Sequence, residues 1–340
     1  MLRSKDISRR EILWSVSAFV PAAGLMAQEP AGEATFSSSV SVVNVLAIVR
    51  DHGGKAVTEL TKDDFVLEED GRPQAIQYFS RQSSLPLTLG LLMDTSFSEI
   101  LSIDAERKAS HRFFDRVLRA DQDKAFVLNF DTRMVMRRNL TSSLEELHSA
   151  LDQVRREQDK GKAAPAIGTL LYDAVAGSSA QILGNQPGRK AIILFSDGED
   201  FGSKTPLEGA IEAAQRAETL VYSIRFSEEG AVFPGAGGAF MGRGGRGGRG
   251  FGGVGPGGGA NRPDGKRVLE ELSQKTGGGY FEGGNAKALD KIYDRIDDEL
   301  RSQYNLGFTS DRPGAGFHAL KVRTKQKNLT VQARQGYYAR

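Results

Sequence analysis

Between Leu87 and Ser302 the chain alternates two patterns. Continuous apolar runs occur at Leu87–Met93, Lys124–Phe130, Lys190–Phe195 and Leu220–Phe226, as expected for strands of a parallel sheet covered on both faces. Between and after them, apolar residues recur every three or four positions, which predicts helices over Ile100–Arg119, Leu170–Leu183, Pro206–Glu218, Asp264–Thr276 and Ala286–Ser302. Ser142 and Glu145 read as a capping box for one more helix, running to Arg156. Arg133–Leu140 alternates polar and apolar residues, which suits an edge strand reached by a hairpin at Asp131-Thr132, and a short strand is expected near Tyr280-Phe281. The expected fold class is α/β: a doubly wound, mostly parallel sheet flanked by helices.

The flanks follow a different rule. Val40–Arg50, Phe65–Glu69 and Gln74–Phe79 read as strands, with Asp70-Gly71 as a hairpin turn. Gln303–Phe308, Phe317–Arg323 and Leu329–Ala333 read as strands at the other end. Shared strand character and the usual proximity of termini predict that residues 28–84 and 303–340 form one small β-rich domain, with the α/β unit of residues 85–302 inserted between them.

Two segments fit neither pattern. Residues 1–27 combine Ser8-Arg9-Arg10-Glu11-Ile12-Leu13, close to a twin-arginine signal, with an apolar run to Ala27 too short to span a bilayer. They predict export to the periplasm or beyond, with no membrane span once the signal is cleaved. A glycine-rich insert over residues 230–262 reads as disordered. Within it Gly242-Arg243-Gly-Gly-Arg246-Gly-Gly-Arg249-Gly-Phe251 resembles the RGG segments of RNA-binding proteins. Export and a weak basic footprint argue against a nucleic-acid partner: the formal charge is +2, all of it carried by the first 27 residues.

Composition narrows the chemistry. There is no cysteine, so disulfides and thiolate zinc sites are excluded, and the four histidines, His52, His111, His148 and His318, have no ligand-like spacing. What remains is an oxygen set. The first α/β strand ends in Asp94-Thr95-Ser96-Phe97-Ser98, Thr169 opens a helix, and a later strand ends in Ser196-Asp197-Gly198. Side chains beyond the carboxyl ends of such strands converge where strand order reverses. Two carboxylates and three hydroxyls suit a hard divalent cation: Mg2+ first, with Mn2+ or Ca2+ as alternatives.

Asp94-x-Ser96-x-Ser98, Thr169 and Asp197-Gly198, in this order on this strand–helix pattern, resemble the metal-ion-dependent adhesion site of von Willebrand factor A (VWFA) domains over residues 85–302. Asp63-Asp64-Phe65, Glu69-Asp70-Gly71-x-Pro73-Gln74 and Gly336-Tyr337-Tyr338 resemble a secreted bacterial (acidobacterial-type) group of VWFA-related proteins. The resemblance implies a metal held by Asp94, Ser96, Ser98, Thr169 and Asp197, and a protein partner that presents an acidic residue. It implies a binding or adhesion module rather than an enzyme, since no motif supplies a general base. An envelope assembly subunit with a purely stabilising metal and a metal-dependent hydrolase remain as alternatives. Glu199 and Asp200 read as a solvated acidic loop, and Asp104, Glu106 and Lys108 as a wet helix face.

Overall fold

A computed structural model describes residues 42–81, 85–96, 99, 102–155, 168–226, 264–312 and 314–339. The signal segment 1–27, the lead-in 28–39, Ser98 and the glycine-rich insert all lie outside these residues. The residues from Ser41 onward form one compact unit.

The chain begins with β1 (Val42–Arg50), β2 (Phe65–Glu69), β3 (Arg72–Gln74) and β4 (Tyr78–Arg81). The α/β body follows: β5 (Leu87–Asp94), α1 (Ile103–Val117), β6 (Lys124–Phe130), β7 (Met134–Thr141), α2 (Leu144–Asp152), α3 (Leu171–Gly177), β8 (Arg189–Phe195), α4 (Leu207–Arg216) and β9 (Thr219–Phe226). After the insert come α5 (Gly265–Thr276), β10 (Tyr280–Gly283) and α6 (Ala286–Arg301), then β11 (Tyr304–Thr309), β12 (Gly316–Thr324), β13 (Thr330–Ala333) and β14 (Gly336–Ala339).

The body is a six-stranded sheet in the order β10-β9-β8-β5-β6-β7. All neighbours are parallel except the edge strand β7, which runs antiparallel to β6. Every residue of β5 and β8 is buried, because helices cover both faces. One face packs Ile103, Phe113 and Phe114 of α1, Leu147 of α2 and Tyr293 of α6 against Leu89, Leu91 and Ile193. The other packs Leu171 of α3, Ala210 of α4 and Leu269 of α5 against Leu92, Ile192 and Leu194. This is the doubly wound class that the apolar runs predict. Strand order reverses at β5, which has β8 on one side and β6 on the other, so a crevice is expected at their carboxyl ends.

The flanks build two further four-stranded sheets, β13-β1-β11-β4 and β14-β12-β2-β3. N- and C-terminal segments pair directly: Val45 lies opposite Leu306 in β1–β11, and Leu67 opposite Val322 in β2–β12. The sheets share a core of Val45, Val49, Phe65, Leu67, Tyr304, Phe308 and Leu320. The buried Tyr304 hydroxyl donates to the Val57 carbonyl (2.9 Å) and accepts from Leu60 N–H (3.0 Å), tying the loop after β1 to β11.

Three local expectations need correction. Gln74–Phe79 is not one strand: the chain pairs with β2 through Gln74, leaves that sheet, and re-enters the other at Tyr78, opposite Gly307. The Asp70-Gly71 hairpin does form, with both residues at positive φ (47° and 78°). The cap of α2 falls one residue later than expected, where Ser143 accepts from Glu146 N–H (3.3 Å). The helix from Leu171 changes after Gly177 to a π-helical turn over Ser178–Leu183. Among the described residues no helix is long and apolar enough to cross a membrane.

Candidate metal centre

β5 and β8 run in parallel register with Met93 opposite Phe195, so Asp94 emerges beside the Ser196-Asp197-Gly198 turn. Asp94 is fully buried and accepts Ser96 N–H (2.9 Å) on one oxygen and the Ser196 hydroxyl (2.8 Å) on the other. The next residue anchors the turn from below: the Thr95 N–H donates to the Phe130 carbonyl at the end of β6, and the Thr95 hydroxyl accepts from the Asn129 amide (3.0 Å). Arg137 on β7 then donates to Asn129 (2.6 Å). The carboxyl end of β5 is thus held from both neighbouring strands.

The Asp197 turn is fixed by glycine. Gly198 has φ +86°, and a Cβ there would lie 2.1 Å from the Gly265 carbonyl oxygen. A Cβ on Gly265 would in turn lie 2.3 Å from the Asp197 carbonyl oxygen. Both glycines are required for the β8 turn to rest against the start of α5. Asp197 accepts Glu199 N–H (2.9 Å), which sets its carboxylate against its own turn.

Thr169 reaches the same place by a third route. It is buried and pairs through its backbone with Phe201, N–H to carbonyl at 3.0 and 2.8 Å in the two directions. It is therefore strapped to the loop that carries Asp197. Asp200 reinforces that strap by accepting Tyr172 N–H (3.1 Å) and the Ser203 hydroxyl (2.6 Å), and Asp173 by accepting Lys204 and Thr205 N–H. Asp200 is thus a loop brace, whereas Glu199 is exposed as expected. The structure gathers Asp94, Ser96, Thr169 and Asp197 on adjoining turns at the switch crevice. Ser98 lies outside the described residues.

Two acids join this cluster that sequence reasoning placed elsewhere or overlooked. Glu106 is 0% exposed, not on a wet helix face, and Glu99 is 4% exposed. On α1, Glu106 shares the inward stripe with Ile103, Ser110, Phe113 and Val117. That i, i+3, i+7 spacing was the available signal: an acid on the apolar stripe. The single Ser102 hydroxyl proton is directed between the Glu99 carbonyl (2.8 Å) and carboxylate (3.0 Å). Neither Glu106 oxygen has a hydrogen-bond partner among the described residues.

The electrostatics are those of buried acids that repel one another. Burial, with repulsion from Asp197, pushes the Asp94 carboxyl up to about 7, despite the hydrogen bonds from Ser96 and Ser196. Burial also raises Glu99, helped by repulsion from Glu106, Asp94 and Asp197, and raises Glu106 beside Asp94. None of the leading influences on the three is a basic side chain. Buried carboxylates are normally paired or coordinate metal. An all-oxygen donor set with excess negative charge and no internal counter-ion fits a hard divalent cation. Among the described residues no group of three or more His, Asp or Glu is placed to hold a metal by those side chains alone, so serine and threonine hydroxyls are needed to complete the set.

The histidines do not supply an alternative. His111 and His148, distant in sequence, meet across α1 and α2 with ring centroids 4.6 Å apart, each paired with an aspartate of the other helix. His318 pairs with Asp70 (3.0 Å) in the flanking sheets.

No protein-family model matches the chain, and no curated protein is found similar to it. Among solved structures it is similar to proximal thread matrix protein 1 from the mussel byssus, at 14% identity and a TM-score of 0.45 over 73% of this chain and 51% of that one. A second structure of the mussel protein, described with a zinc-occupied MIDAS motif, gives 15% identity and a TM-score of 0.46 over 69% and 50%. The match thus spans about half the length of the mussel protein. The conserved hypothetical protein BatB from Bacteroides thetaiotaomicron gives 18% identity and a TM-score of 0.44 over 64% of this chain and 100% of that one.

Proposed function

We propose that the protein is an exported, metal-dependent protein-binding module of the VWFA type, related to secreted bacterial proteins of that kind. In this reading Asp94, Ser96, Ser98, Thr169 and Asp197 hold a divalent cation, Mg2+ in the first place and Mn2+ or Ca2+ as alternatives. The observation that carries the reading is the cluster of buried acids at the switch crevice, Asp94, Glu99 and Glu106, with hydroxyl donors around it and burial and mutual repulsion raising their pKa values.

Bound there, the cation would supply an electrophilic point able to take an oxygen ligand from outside. The protein's own residues position it. The Thr95–Asn129–Arg137 chain fixes the β5 turn, the Gly198–Gly265 contact fixes the Asp197 turn, and the Thr169–Phe201 pairing brings in the third segment. Uncharged hydroxyls donate less charge than carboxylates, so the ion keeps affinity for a partner's acidic side chain. In this reading binding is preferred over hydrolysis because His111, His148 and His318 contact aspartates outside the crevice residues.

Capture of partners from an envelope extract tests this directly. Wild type in Mg2+ should retain a partner set that is lost with EDTA and with Asp94→Ala. Retention of the same set in all three conditions would sink metal-mediated capture. Export is tested separately by fractionating cells that carry the Arg9→Lys, Arg10→Lys double substitution, which should leave the protein inside.

A further inference from the structure

Charge is unevenly placed along the chain. Residues 303–340 carry seven Lys and Arg residues against one acid, Asp311. Four of the seven, Lys321, Arg323, Lys325 and Lys327, fall in β12 and the turn after it, with no acid among them. The formal charge of +2 is already carried by the first 27 residues, so the balancing excess of acids lies in residues 28–302.

Strand geometry brings these cations to one surface. Side chains alternate between the two faces of a strand. Leu320 belongs to the shared flank core and Val322 packs against it. Phe317, Ala319, Lys321 and Arg323 therefore point outward, and all four are exposed. Phe317 is 51% exposed, well above a core aromatic. It stands opposite Tyr338 of β14, with ring centroids 5.3 Å apart, and Arg216 of α4 lies over the Tyr338 ring at 4.7 Å. From Phe317 to Arg323 the strand runs about 20 Å. Lys325 and Lys327 are exposed beyond its end.

Acids cancel only part of this charge. Glu68, opposite Lys321, pairs with Arg323. Asp64 lies beside Lys325, whose N–H donates to the Asp64 carbonyl (2.8 Å). Glu212 pairs with Arg216 (2.7 Å) at the aromatic end. The face is thus a solvated sheet surface with exposed aromatic rings at one end and an excess of cations at the other. Aromatic rings favour the lipid–water boundary, and lysines near a bilayer are drawn to anionic head groups.

We propose that this outer face of the β14-β12-β2-β3 sheet docks the protein on an anionic phospholipid surface. Phe317 and Tyr338 would lie at the head-group boundary, and Lys321, Arg323, Lys325 and Lys327 would meet the lipid phosphates. Charge complementarity selects the occupant and the orientation: the basic flank is attracted, while the acidic remainder of the chain is repelled.

The test is vesicle binding by the full chain in EDTA, so that the outcome is independent of the metal centre. Trp14 is the only tryptophan, so Trp14→Phe with Phe317→Trp places a single indole on the face. Vesicles of phosphatidylcholine with brominated phosphatidylglycerol should quench it, and vesicles of brominated phosphatidylcholine alone should not. In Trp14→Phe with Met134→Trp, the indole sits at a 45% exposed position of the body and should not be quenched. Lys321→Glu, Lys325→Glu and Lys327→Glu together should weaken binding by roughly a hundredfold, since each cation at an anionic surface contributes about fivefold. The same charge change at exposed Lys108, Lys124 and Lys287 should alter binding by less than about threefold, because charges far from the contact are screened. Circular dichroism checks each variant. Sedimentation of the wild-type chain and the two lysine variants with the same vesicles decides if Phe317→Trp does not fold. Three results would overturn the proposal: no quenching at position 317, equal quenching at position 134, or equal loss from the two lysine sets. Binding of soluble heparin without binding of vesicles would also overturn it, and would assign the face to an anionic polysaccharide.

Discussion

The two ends of the central sheet bury charges of opposite sign and treat them differently. At the carboxyl ends of β5 and β8 the buried acids Asp94, Glu99 and Glu106 crowd one another, and Glu106 lacks any hydrogen bond among the described residues. At the amino ends the buried guanidiniums of Arg189 and Arg334 are threaded among the backbone carbonyls of Leu85, Leu300, Gln215 and Asn44. A guanidinium brings several donors, and loop carbonyls are abundant acceptors, so the fold can satisfy most of its hydrogen bonds internally. A carboxylate only accepts, and each added acid raises the cost of the others. The basic end is therefore largely satisfied by the fold, while burial and repulsion at the acidic end favour the protonated acids.

This contrast makes removal of charge act with opposite sign at the two ends. The largest expected effect is at the basic end. Arg189→Met should destabilise the protein by about 3 kcal/mol in denaturant unfolding, because the Leu85 and Leu300 carbonyls lose a charged donor. Saturating metal comes next. At a free Mg2+ concentration of about 100 times Kd, unfolding should cost roughly 2.7 kcal/mol more. Asp94→Ala should abolish that gain and Arg189→Met should leave it intact. No shift with Mg2+, Mn2+ or Ca2+ would remove the metal centre from the comparison.

Glu106→Gln should do the reverse of Arg189→Met. In EDTA at pH 8 it should stabilise the protein by on the order of 1–2 kcal/mol, since it removes a buried acid without a partner. The same acids set the direction of pH dependence. Their native-state pKa values are raised, so the folded form holds their protons more tightly than the unfolded chain does. Their contribution to metal-free stability is fully present below the unfolded carboxyl range near pH ~4 and is lost as pH rises from there through about 7, where Asp94 titrates. Urea unfolding in EDTA at several pH values checks this, and a profile that rises over that window would contradict it. The smallest effect is a control for burial: Arg112→Ala breaks a pair with Asp290 whose side chains are 53% and 46% exposed, and should change stability by less than about 0.5 kcal/mol.

Much of the site is legible from residue order alone. Asp94, Ser96, Thr169 and Asp197 each follow a predicted strand or open a predicted helix, and pairing of β5 with β8 brings the first and last of them together. Glu106 was less accessible: beside Asp104 and Lys108 it reads as part of a charged face, and only its coincidence with the Ile103–Phe113 stripe marks it as buried. Ser196 differs again. Its hydroxyl holds Asp94 at 2.8 Å across a gap of 102 residues, and no local pattern distinguishes it from an ordinary turn serine. Arg334 had no sequence signal at all, because its acceptors Gln215 and Asn44 come from distant segments.

The alternation of strand and helix, the doubly wound class and the hairpin at Asp70-Gly71 were all legible in the sequence. These rest on periodicity and turn stereochemistry, which are local. Tertiary structure decided that the segment after Gln74 divides between two sheets, that Glu99 and Glu106 face inward near Asp94, and that Arg189 and Arg334 are buried among the carbonyls of distant segments. Those outcomes depend on which distant surfaces meet. A side chain's burial, its pKa and its unpaired atoms belong to that meeting rather than to the residue.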